Sequence, residues 1–132
     1  MPAFSLAAYS ALLDRMLEAG AKVLPVTSMG RRDSPPKTVF LRHDIDFSLE
    51  MCLPMAEVEA SRGIQATYYV LLNGPYNVDD ENGRRHLLRL VELGHEIGLH
   101  YDLKSYPDQS NEQKLKLASE IEHLEHLIQQ KI

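Results

Sequence analysis

The stretch that most constrains the fold is QATYYVLLN, Gln65 to Asn73, apolar over most of its length and set between two helical patterns. A strand half in water alternates polar and apolar residues. A short run that is apolar in both phases suits a strand buried on both faces, as in parallel sheets. The pattern before it, Ser48 to Arg62, is helical and closes at Gly63; the one after it, RRHLLRLVEL, closes at Gly94. Pro54 lies inside the first of these, which predicts a kink or a start later than Ser48.

The same alternation continues in both directions. Ser5 to Ala19 repeats Leu6, Tyr9, Leu12, Leu13, Met16 and Leu17 at helical spacing, with Ser5 as N-cap and Gly20 as stop. AKVLPV reads as a short strand that Pro25 confines to an edge, and TSMGRRDSPPK as a loop. TVFLRHDID reads as one strand and HEIGLHY as another; Glu112 to Lys131 is a long charged amphipathic helix. The expected order is helix, strand, strand, helix, strand, helix, strand, helix: an α/β fold of parallel βα units with right-handed crossovers. No internal repeat is visible. With four strands and a final helix that no strand follows, the expected architecture is cut short rather than closed.

Composition narrows the class. One domain is expected from 132 residues, and 44% hydrophobic with 25% charged residues suits a globular core. A net charge of −5 argues against a nucleic-acid backbone or an anionic membrane surface as main partner. Cys52 is the single cysteine, so no intrachain disulfide forms and a reducing compartment is expected. MPAFSLAAYSALLDRM has no basic n-region and carries Asp14 and Arg15 where a signal peptide needs apolar residues, so the expected location is cytoplasmic. An exposed parallel edge makes self-association an expectation as well.

Two polar clusters stand at the C-terminal ends of predicted strands, where parallel α/β proteins build sites. HEIGLHYD, His95 to Asp102, looks at first like a zinc-protease helix. Its histidines are five apart, however, with Gly98 between, and the segment follows a helix stop. As a strand it places His95, Ile97 and Leu99 on one face and Glu96, Gly98, His100 and Asp102 on the other. In RHDID the same rule puts Arg42, Asp44 and Asp46 together and His43 opposite. Adjacent carboxylates with a facing histidine form a mixed oxygen and nitrogen set suited to a divalent metal, most naturally zinc. The alternative for Asp44 and Asp46 is a turn or a helix cap, and for a strand histidine a hydrogen-bonded structural role. His95 is expected to be structural. His86, His123 and His126 are expected to face solvent, as are Asp79, Asp80 and Glu81; Tyr68 and Tyr69 are expected in the core or a pocket wall.

FLRHDIDFSLE, GIQATYYVLLNGPYN and LVELGHEIGLHYD together resemble the polysaccharide deacetylase family, the NodB-homology carbohydrate esterases, in the branch whose first motif is His-Asp-Val-Asp. The likeness runs from about Phe4 to Asp102, with the three segments in the family's order. It implies a deformed (β/α) barrel and a metal-dependent hydrolase that removes acetyl groups from sugars or a polysaccharide precursor. Carried over, Asp44 is the general base, Asp46 a metal ligand, and His100 the first histidine of the His-x-x-x-His ligand motif. The second falls at Lys104, whose ammonium is no ligand. Asp102, two residues from His100 on the same face, is an oxygen donor that can stand in for it; His43 or His95 can do so only if the backbone turns. The later strands of the family, with an arginine that orients the base and a histidine that acts as general acid, have no counterpart here. The alternative is a non-catalytic domain of the same lineage that binds a sugar or a protein. A flavodoxin-like domain is disfavoured, because no glycine-rich phosphate loop follows the first strand.

Overall fold

A computed structural model describes residues 4–31, 33–102 and 111–132. Along the chain it holds α1 (Leu6–Glu18), β1 (Lys22–Leu24), a 3-10 turn (Val26–Ser28), β2 (Thr38–Phe40), β3 (Arg42–Ile45), α2 (Leu49–Ala60), β4 (Thr67–Val70), α3 (Glu81–Glu92), β5 (Glu96–Leu99) and α4 (Asn111–Ile128). The helix starts follow side-chain capping. Ser5 Oγ accepts from the Ala8 amide, Ser48 Oγ from Met51 and Asp80 from Gly83, each satisfying an N–H that the first turn leaves open. α2 begins directly after Ser48 and keeps Pro54 inside it, so the Glu50 carbonyl loses its usual helical donor.

TVFLRHDID is not one strand. It breaks at Leu41 into β2 and β3, because its two halves pair on opposite sides. β2 runs parallel to β1, while β3 runs parallel to β4 and β4 to β5. Leu41 is the handover: its N–H donates to Leu24 O at 3.2 Å, and its carbonyl accepts from the Thr67 N–H at 3.0 Å. β4 is central in the larger sheet, and Thr67, Tyr68 and Val70 are all buried.

The helices form one layer, α1 against α2, α2 against α3 and α3 against α4. Ile45, Tyr68, Val70 and Ile97 on the sheet meet Leu49, Ala56, Leu87, Leu90, Leu124 and Leu127 from the helices in the main core. A second, smaller core gathers Leu13, Val23 and Ile64 beneath α1. Among the described residues the chain is thus a mixed α/β protein of four α-helices and two small parallel sheets, and its strands do not close into a barrel. None of the described helices is long and apolar enough to cross a membrane.

Candidate functional site

Strand alternation divides the polar residues between two faces. Arg42 and Asp44 point to the open face, and His43 and Ile45 to the helices. Asp44 is gripped by Arg42 through both oxygens: Nε donates to Oδ1 at 2.8 Å and Nη2 to Oδ2 at 3.1 Å. Asp46 stands one residue past β3 and His100 one past β5. The His100 amide donates to Val70 O at 2.8 Å, which extends the β4–β5 ladder and carries the ring over the strand end. There Nδ1 faces Asp46 Oδ1 at 3.5 Å.

That Nδ1 atom is buried and has no hydrogen-bond partner among the described residues. Ligand atoms that share one tetrahedral zinc at about 2.0–2.1 Å lie about 3.3 Å apart. The separation of Asp46 and His100 fits two donors of such an ion. Among the described residues no group of three His, Cys, Asp or Glu side chains converges, so this pair is a part-set. Asp102 is half-buried and lies beyond the end of β5, where strand alternation no longer dictates its direction. Lys104 lies outside the described residues. A groove of about 520 Å³ runs beside the acids, lined by Arg42, Asp44, Asp46, Phe47, Met51 and Met55, with Phe47 83% and Met51 77% exposed.

Tyr76, which sequence reasoning did not single out, ties two strand ends together below this site. Its hydroxyl donates to Ile45 O at 2.7 Å and accepts from the Leu71 N–H at 2.8 Å. Burial, the largest influence, pushes its phenol up to about 12, so it remains a donor throughout the physiological range.

The more unexpected cluster lies on the helix side of the sheet. Glu59, on α2, is fully buried. Tyr9 and His43 Nε2 donate to Oε1 at 2.5 and 2.6 Å, and Tyr68 donates to Oε2 at 2.7 Å. Burial pushes the carboxyl up, but His43 and the two hydroxyls outweigh it and leave Glu59 below its ordinary value. Both tyrosines are pushed up by burial and by the carboxylate they donate to. His95 stands 3.8 Å from the same carboxylate but does not donate to it. Its Nδ1 accepts from the Ala66 N–H, and its Nε2 donates to Ala56 O. Both ring nitrogens are therefore used by backbone, which bears out a structural role.

Of the remaining expectations, Tyr68 is core, Tyr69 lines the open face, His126 is exposed, and His123 and Asp79 form an exposed pair at 2.6 Å, whereas His86 is half-buried rather than solvent-facing. Cys52 donates to Leu49 O, and burial pushes its thiol up to about 12, which makes it a poor nucleophile. No family model matches the chain, and no curated protein or solved structure matches it.

Proposed function

We propose that this chain is a polysaccharide-deacetylase-like domain and that, with the rest of its barrel, it hydrolyses the acetyl group of a sugar or polysaccharide precursor. The observation that carries the reading is the Asp46–His100 pair beside Asp44, polar groups at the C-terminal ends of β3 and β5 on either side of β4, with a ring nitrogen among them that has no partner among the described residues. The single layer of helices supports the barrel half of the proposal, because a doubly wound sheet would carry helices on both faces. On this reading the outer edge of β5 is covered by a further strand, from more of the same fold or from a second copy.

Asp46 and His100 would hold a divalent ion, most naturally zinc, with Asp102 as a further oxygen donor. Such an ion, when bound, lowers the pKa of water and polarises a carbonyl. On this reading Asp44 is the general base: Arg42 holds its carboxylate by a two-pronged fork, and a lone pair outside that fork would accept the proton from water. The expected result is that Asp44→Asn, made in the complete barrel, lowers acetate release from N-acetylglucosamine oligomers by about 10²–10⁴-fold. Unchanged release in Asp44→Asn would remove Asp44 from this role. Lys104, where a histidine ligand is expected, favours the second reading, a binding module of the same lineage that lacks catalysis. A substrate confined to the cytoplasm belongs to the same proposal.

A further inference from the structure

We propose that Arg42 is a positioning residue for Asp44, held by a row of residues that crosses three strands. Asp44, Tyr69 and Gly98 are register partners on β3, β4 and β5. All three belong to the open face, so the row runs straight across the sheet. At its far end Gly98 is where the Tyr69 ring lies down. A Cβ built at position 98 would come within 2.6 Å of Tyr69 Cε1 and 2.7 Å of Cδ1, closer than any side chain tolerates. The missing side chain of Gly98 is therefore what allows the ring to lie across β5.

The flattened ring becomes a platform. Arg42 Cζ stands 4.3 Å from its centroid, within the range of a cation–π contact. From there the guanidinium reaches Asp44 with two near-parallel N–H donors, the fork geometry that arginine can make and lysine cannot. An isolated surface ion pair holds its partners loosely. Here the ring restricts the guanidinium before the carboxylate is engaged, so the fork fixes the carboxylate's rotation. Phenylalanine at position 69 would keep the platform, since the hydroxyl takes no part in it.

The clamp stands on geometry alone; its use in orienting a base rests on the hydrolase reading. The test follows the Arg42 Nε–H signal by ¹⁵N NMR on the whole chain at neutral pH, with the amide spectrum as control for folding. In the wild type this proton is expected to exchange slowly and to resonate away from the free-arginine position. Asp44→Asn, Tyr69→Leu and Gly98→Ala are each expected to return it toward that position, and Tyr69→Phe to leave it in place. A signal unchanged in folded Tyr69→Leu and Gly98→Ala would overturn the row. In acetate release from N-acetylglucosamine oligomers by the complete barrel, Arg42→Met is expected to lower kcat by about 10²-fold at unchanged KM, as for a misplaced catalytic group, with Arg42→Lys recovering only part. A protected Nε–H together with full kcat in Arg42→Met would overturn the positioning role. A protected Nε–H in a complete barrel that releases no acetate would leave the clamp standing and overturn the hydrolase reading.

Discussion

Glu59→Ala is expected to cost about 3–5 kcal/mol, because it removes a fully buried carboxylate that accepts from three donors. Tyr9, His43 and Tyr68 all point at this carboxylate from different elements, so its loss takes the acceptor from each of them and strands the fully buried Tyr68 hydroxyl. Glu59→Gln keeps an acceptor oxygen and is expected to lose less, about 1–3 kcal/mol. The pH dependence separates charge from shape. Glu59 is held below its ordinary value of 4.5 when folded, so its contribution is fully present above that value. It declines as pH falls through the lowered folded value, where the native carboxylate takes up a proton. Urea midpoints of the wild type should therefore fall more steeply below about pH 4.5 than those of Glu59→Gln. Parallel curves would mean that Glu59 carries no net charge effect. Cys52, the other ionisable group that faces Glu59, stays a neutral thiol across this range, and His95 is engaged by backbone.

Gly83→Ala is expected to be the most damaging substitution of a single methyl group. In an ordinary helical position alanine stabilises by about 1 kcal/mol over glycine. Gly83 is buried in the first turn of α3, against the loop that precedes the helix. A Cβ there would sit 1.8 Å from the Asn77 carbonyl oxygen and 3.0 Å from Val78 Cα. Both obstacles are backbone, so no rotamer change relieves the overlap, and α3 or the loop has to move. The expected loss is about 3 kcal/mol, at the upper end for overpacking. The same loop carries Tyr76, so the Ile45 and Leu71 contacts at the strand ends should loosen with it. Asn82→Ala, on the exposed side of the same turn, should stay within about 0.5 kcal/mol. A Gly83→Ala chain as stable as the wild type in urea would show that the close approach is absent.

Much of this was legible in residue pattern. Alternating strand and helix signals recover the element order, and Gly63 and Gly94 mark the helix ends. Alternation along HEIGLH separates His95 from His100, as the burial of the one and partial exposure of the other bear out. Two things were hidden. The break at Leu41 depends on which strands flank each half of TVFLRHDID, a tertiary fact that propensity does not carry. The Glu59 cluster had a signal that is easily overlooked: Leu49, Cys52, Ala56 and Glu59 follow helical spacing, so a glutamate occupies an apolar stripe. His43 likewise shares its phase with Ile45, and His95 with Ile97. Polar residues in core phase on three neighbouring elements indicate a partnered cluster, and Tyr9 and Tyr68 complete it. Arg42 was placed on the Asp44 face, but its bidentate grip depends on the Tyr69 ring beside it, which only the sheet register reveals.

The central claim is that the ends of β3 and β5 form a metal-dependent hydrolytic site. Zinc content after equilibrium dialysis of the purified chain at neutral pH tests it most directly, with Asp46→Ala and His100→Ala beside the wild type. The account predicts one zinc per wild-type chain, lost in both variants while their folding is retained. A wild-type chain that takes up no zinc, or variants that keep it, would contradict the account.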